Sequence, residues 1–277
     1  MSDTVMVAAH PRQPEISRRM ASDRAFFGVS ALVLALSAAI TIVWCGSMSA
    51  MGMPMPGGWT MSMAWMRMPG QTWPGAAASF LVMWMVMMVA MMLPSLVPML
   101  WRYRQAVERT GEARLSRLTA LVGVGYFFVW TLFGIAAYPL GVAVAALEMQ
   151  HSAVSRTVPT AVGVVVMMAG FLQLSAWKTR HLNCCREVPG SGRTLPPDAI
   201  TAWRHGLRLG LHCSHSSAGL MVILLVIGVM DLRAMALVTI AITIERLAPA
   251  GQFVARAIGV CVVGTGLCLI ARAAGLG

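Results

Sequence analysis

The sequence predicts an all-α membrane protein: a polytopic bundle of about seven transmembrane helices with its amino terminus in the cytoplasm. Three observations predict it. Of the 277 residues, 58% are hydrophobic and only 11% are charged, whereas a soluble domain carries roughly 25% charged residues. Apolar stretches recur near the length of about 20 residues that crosses a bilayer. Lys and Arg are divided unevenly between alternate connecting segments.

The stretches run Ala25–Cys45, Ala76–Leu100, Leu118–Leu147, Val158–Trp177, Gly206–Met230, Leu232–Ala248 and Val254–Ala274. The sixth is the shortest and carries Glu245; if it does not cross, the count falls to six. Pro139 predicts a kink or an early end in the third. Residues 1–24 read as a polar cytoplasmic tail, expected to be unstructured over Met1–Asp23. Residues 25–277 read as a single transmembrane domain. Two connections look irregular: the extracytoplasmic loop 46–75, rich in Met, Gly and Pro, and the segment Pro189–Pro197. The first stretch is expected to remain as a span, because its charged leader is long and no small-x-small cleavage site follows it.

With the amino terminus inside, 17 of the 21 Lys and Arg residues fall on the cytoplasmic side, and Arg67, Arg156, Arg233 and Arg272 on the other. The net charge of +11 is then topological, which excludes nucleic acid as the partner it serves. The expected setting is a bacterial cytoplasmic (inner) membrane, crossed several times, with the lipid bilayer as the first partner. Six cysteines are too few and too scattered for a disulfide scaffold. No nucleotide-binding, H-E-x-x-H or serine-nucleophile motif occurs.

Methionine is the unusual residue. Fifteen of the 24 lie between Met48 and Met99. The outer loop holds Met48, Met51, Met53, Met55, Met61, Met63, Met66 and Met68, with M-x-M spacing at 51/53, 53/55, 61/63 and 66/68. Thioether sulfur is a soft, neutral ligand suited to Cu(I) or Ag(I), and it forms no disulfides in an oxidising compartment. The pattern points to copper capture; its alternative is an interfacial loop with Met as flexible filler. In the second stretch Met83, Met87 and Met91 share a helical stripe, and Met88 and Met92 form a neighbouring pair. Met87, Met88, Met91 and Met92 are candidates for an ion path, against plain packing. Pro94 and Pro98 each free a carbonyl one turn earlier and are expected to bend that helix.

The fifth stretch contains the polar run His212-Cys213-Ser214-His215-Ser216-Ser217. His212 and His215, at i and i+3, can ligate one metal with Cys213 beside them; the alternative is polar glue between helices. After the fourth stretch, a continuing helix places His181 on one face with Cys184 and Cys185. Glu245, near the inner end of the sixth stretch, is a candidate ligand or the partner of Arg208 or another arginine at the inner boundary. All seven of these side chains are expected at similar depth in the inner leaflet.

The stretches Met87–Met99, Gly125–Gly134, Ala169–Arg186 and Gly206–Leu247 resemble a bacterial family of predicted metal-binding integral membrane proteins, a domain of unknown function. The resemblance implies metal binding. Cys185, Cys213 and Glu245 match the family's pattern, while His181, His215 and Ser216 stand where it has cysteines. That departure moves the implied preference from Cu(I) toward Zn(II) or Cu(II). The expectation is therefore a membrane metal-binding protein for copper, with zinc as the second ion. It captures at the outer Met loop and binds or transfers at an inner His/Cys/Glu cluster. A metal-dependent membrane enzyme and a metal-free scaffold subunit are the rivals.

Overall fold

The structure, a computed structural model, describes residues 12–49, 52–55, 59–68, 70–107, 112–186 and 198–275. Among them are eight helices: α1 (Arg12–Ser49), α2 (Trp73–Ala106), α3 (Glu112–Gln150), α4 (Ser152–Leu174), α5 (Ala176–Arg186), α6 (Ala199–Ile227), α7 (Leu232–Leu247) and α8 (Gly251–Ala273). Two short strands, β1 (Met53–Met55) and β2 (Trp59–Met61), pair antiparallel between α1 and α2.

Six helices, α1 to α4, α6 and α8, are long and apolar enough to cross a membrane. The sixth expected stretch becomes α7, whose 16 residues reach only about 24 Å at 1.5 Å per residue, short of a hydrocarbon core of about 30 Å. Its final turn brings Glu245 and Arg246 into the interior, where both are buried.

Local chemistry sets the ends. Thr72 caps α2, its hydroxyl accepting from the Gly75 amide at 3.3 Å, and a proline occupies the first turn, where no amide donor is needed. The Asp198 carboxylate accepts from Thr201 N at 3.0 Å to open α6, and Asp231 accepts from the amides of Arg233 and Ala234 to open α7. Gly228, at φ 138°, ends α6 in a conformation that disfavours residues with a side chain.

Several expectations change. Helix α1 begins at Arg12, so Arg12–Asp23 is helical rather than unstructured, while residues 1–11 lie outside the described residues. Helix α3 does not end early at Pro139 but continues to Gln150; α2 is one helix through Pro94 and Pro98, the positions expected to bend it. The fourth stretch does not continue as one helix: Ser175 is extended (φ −71°, ψ 151°) and separates α4 from α5. The Met-rich loop contains a hairpin rather than being irregular throughout. Pro189–Pro197 lies outside the described residues.

Two helix pairs approach closely through glycine. A Cβ at Gly206 of α6 would collide with the Val122 carbonyl of α3, and one at Gly210 would lie 2.9 Å from the Tyr126 carbonyl. Between α4 and α8, a Cβ at Gly170 would come within 2.8 Å of Val263 N, and one at Gly266 within 2.6 Å of Met167 N. Without side chains at these points the backbones meet, as membrane helices do where bulk is absent.

Candidate functional site

The methionine stripe of α2 faces inward along its whole length. Met83, Met87, Met88, Met91 and Met92 are all buried, and Met88 and Met92 have no accessible surface (0%). Helix α2 packs between α1, α3 and α7, which explains why its thioethers line the interior and not the outer surface. Met85, half-buried on the α3 side, accepts from the Thr131 hydroxyl at 3.0 Å. The antiparallel register of α1 against α2 is fixed by Arg104 donating to Ser22 Oγ at 2.9 Å and by Trp101 stacking on Phe26.

At the foot of this file stands Cys213, the central residue of α6. Its Sγ lies 4.0 Å from Met92 Sδ and 2.7 Å from the Tyr126 hydroxyl. The stripe Gly206, Gly210, Cys213, Ser217 forms the face that α6 buries. The glycines bring α3 close enough for Tyr126 to reach the thiol. The hydroxyls of Ser216 and Ser217 both donate to the Cys213 carbonyl, at 2.9 and 2.8 Å. Arg246 donates to Ser95 Oγ on α2 (3.2 Å), to the Cys213 carbonyl (3.3 Å) and to Ser216 Oγ (3.2 Å). One guanidinium thus ties the end of α7 to α2 and α6 beside the thiol.

A second polar group lies next to it. Lys178 Nζ and Glu245 Oε2 form an ion pair at 2.7 Å with both side chains 3% exposed. Gln173 donates to the other carboxylate oxygen, and Lys178 also donates to the Ser216 carbonyl. The carboxylate proposed from sequence as a ligand therefore spends its oxygens on Lys178 and Gln173. This is the ion-pair alternative, with a lysine of α5 in place of an arginine.

Of the seven candidates expected at one depth, the four whose side chains are described, His212, Cys213, His215 and Glu245, do not gather at one point. At 3.6 residues per turn Cys213 and His215 are about 200° apart on α6, nearly opposite faces. Cys213 turns toward α2 and α3. His215 is exposed, its ring edge-on to Trp177 of α5 with centroids 5.8 Å apart and its Nδ1 2.6 Å from the Leu211 carbonyl. His212 is half-buried. The side chains of His181, Cys184 and Cys185 lie outside the described residues. Among the described residues no three of His, Cys, Asp and Glu gather closely enough to hold a metal ion. The zinc expectation, which needs about four nitrogen, thiolate or carboxylate ligands, finds no such set there. What converges instead is thioether and thiol sulfur.

At the other end of the bundle the Met-rich hairpin rests on helix ends. Trp59 donates to the Ser155 carbonyl of α4 at 3.1 Å, and Trp65 packs 5.2 Å from Phe80 of α2 and against Gly141 of α3. The register Met53↔Met61 and Met55↔Trp59 puts Met53, Met55 and Met61 on one face of the hairpin. Met61 is buried, Met55 half-buried and Met53 exposed. Met48 and Met66 are half-buried and Met68 is exposed, while Met51 and the side chain of Met63 lie outside the described residues.

Sequence reasoning passed over Tyr126, Gln173, Ser95, Lys178 and Arg246. Lys178 and Arg246 were counted among cytoplasmic loop charges, yet both are buried. Their nearness to an intramembrane carboxylate was the available signal, since buried charges need partners. Tyr126 had no signal, because its reach to Cys213 depends on the α3–α6 packing.

A family model described as "PpoB2: Copper chaperone" matches residues 81–269. The match opens in α2 just before Met83 and closes in α8, so it contains Met92, Tyr126, Cys213 and Arg246 and leaves out α1 and the hairpin. No curated protein and no solved structure matches the chain.

Proposed function

We propose, because this chain belongs to the PpoB2 copper-chaperone family, that it is a membrane copper-handling protein which holds Cu(I) between Cys213 and Met92. The observation that carries this reading is the buried file of methionines on α2, ending at a thiol in the bundle interior. Two sulfurs sharing an ion at metal–sulfur distances of about 2.3 Å stand about 3.8 Å apart in a tetrahedral arrangement and about 4.6 Å apart in line. The Cys213–Met92 separation of 4.0 Å falls inside that window.

Charge selects the ion. Cu(I) with one thiolate and neutral thioethers carries no net charge, so burial costs little. A divalent ion in the same place would leave a buried positive charge at a cost of several kcal/mol. Softness agrees, since thioether and thiolate favour Cu(I). Binding releases the Cys213 proton, one per ion. The Tyr126 hydroxyl then donates to the thiolate, and Arg246 holds the Cys213 carbonyl and with it the turn of α6 that presents the sulfur.

In this reading the hairpin face of Met53, Met55 and Met61 captures the ion, and Met83, Met87, Met88, Met91 and Met92 carry it through the apolar interior. Thioethers neither titrate nor bind tightly, which suits successive exchange from one to the next.

Copper content of the purified full chain tests the proposal, with Cu(I) supplied from a chelator buffer and the protein held in detergent. Cys213→Ser combined with Met92→Leu should lose one Cu(I) per chain with helicity and monodispersity unchanged. A double variant that retains the wild-type copper content would overturn this site.

A further inference from the structure

A second cysteine–methionine pair closes the other end of the methionine file. Cys45 of α1 lies with its Sγ 3.6 Å from the Sδ of Met230, which belongs to the turn between α6 and α7. The two residues are 185 positions apart in sequence, and both are buried, at 2% and 6%. Cys45 is not on the lipid side of its helix. Ser37, Thr41 and Cys45 are successive members of the buried stripe of α1, while its other faces are exposed.

The helix register gives the level of this pair. Phe26 faces Trp101 across the antiparallel α1–α2 contact. Cys45 is 19 residues beyond Phe26, and position 82 is 19 residues before Trp101. Cys45 therefore stands at the level of the head of the file, near the height of Met83, and both belong to one continuous buried cluster with Met87, Met88, Met91, Met92 and Met230. From Met83 to Met92 the file descends about 14 Å at 1.5 Å per residue. A thiol–thioether pair stands at each end: Cys45 with Met230 at the head, Cys213 with Met92 at the foot.

We propose that Cys45 and Met230 form a second Cu(I) site, the station that receives the ion before it enters the methionine file. The proposal rests on the copper reading above. The sulfur separation of 3.6 Å falls short of the smallest ion-bridged separation, about 3.8 Å, by only a few tenths of an ångström. Met230 can yield that much, because a methionine side chain turns about three bonds. Binding forms a Cu–S bond to each residue and releases the Cys45 thiol proton, one per ion, so the bound pair carries no net charge. The Met-rich loop supplies the donor: its first methionine, Met48, follows Cys45 by three residues, about one turn, on α1. The family match begins at residue 81, so half of this site belongs to a part of the chain outside it.

The test compares copper per chain in the full-length protein, loaded from a chelator-buffered Cu(I) supply, for wild type and two double variants. Cys45→Ser/Met230→Leu should hold one Cu(I) fewer than wild type, and Cys213→Ser/Met92→Leu should lose a different one. Wild-type content in the Cys45→Ser/Met230→Leu variant overturns this inference and leaves the Cys213 site to be judged by its own variant. Loss in the first variant with full content in the second overturns the Cys213 reading and keeps this one. Met230→Leu alone guards against a folding defect, since it preserves volume and leaves Cys45 in place. It should weaken the affinity of one equivalent at least tenfold, and unchanged affinity overturns the inference equally.

Discussion

The Tyr126 hydroxyl lies 2.7 Å from the Cys213 sulfur, and both groups are completely buried. A thiol in apolar surroundings gives up its proton to a metal more readily when a donor waits to stabilise the thiolate. A hydrogen bond to a charged group contributes about 1.5–3 kcal/mol, which is roughly a tenfold to hundredfold effect on affinity. Tyr126→Phe should therefore keep Cu(I) bound at Cys213 while weakening it by that factor, measured by competition with a Cu(I) chelator. Unaltered affinity would make the contact a packing feature alone.

The contact depends on how closely α3 and α6 approach. Gly206→Ala places a methyl against the Val122 carbonyl, a rigid backbone atom, so the helices must separate. We expect a cost of about 1–3 kcal/mol, as for other overpacked interiors, together with weaker Cu(I) binding as Tyr126 withdraws from Cys213. Gly264→Ala in α8 is the control, because a Cβ there meets nothing within 4 Å. Thermal unfolding in detergent should separate the two, with Gly264→Ala at or above wild type.

How much of this was legible in the sequence follows from what each feature depends on. The helical bundle and six of the seven expected spans rest on composition and length, which are local, and they were readable. The inward methionine stripe was readable from its i, i+4, i+8 spacing. Whether the described inner candidates meet was not, because depth along a helix says nothing of rotation about it. Counting 100° per residue would have parted Cys213 from His215, yet only tertiary packing decides which of the two faces is buried. Cys45 and Met230 carried no signal at all, since their meeting depends on the docking of α1 against the α6–α7 turn.

The Lys178–Glu245 pair supplies another test. Removing one member leaves a buried charge uncompensated, at a cost of about 3–5 kcal/mol. Lys178→Met should thus reduce stability sharply, and so should Glu245→Leu. The double variant should recover most of the loss, because two apolar side chains of similar size replace two charges together. If Glu245 were instead a copper ligand, the double variant would be stable and still lose an equivalent of copper. Melting temperature and copper content on the same four proteins distinguish the outcomes.

The hairpin gives the last prediction. Met53, Met55 and Met61 share one face of β1 and β2, and Met61 is buried where the hairpin meets the bundle. Leu matches Met in volume but has no sulfur, so Met53→Leu, Met55→Leu and Met61→Leu together should leave the fold intact, each costing less than about 1.5 kcal/mol. If the face captures copper for the Cys sites, the triple variant should load at the same final stoichiometry but more slowly at limiting Cu(I). The sites behind the hairpin are unchanged, and only the route to them is impaired. Stopped-flow loading with a colorimetric Cu(I) chelator as donor measures that rate directly. A rate equal to wild type would assign these methionines to anchoring the hairpin on the helix ends.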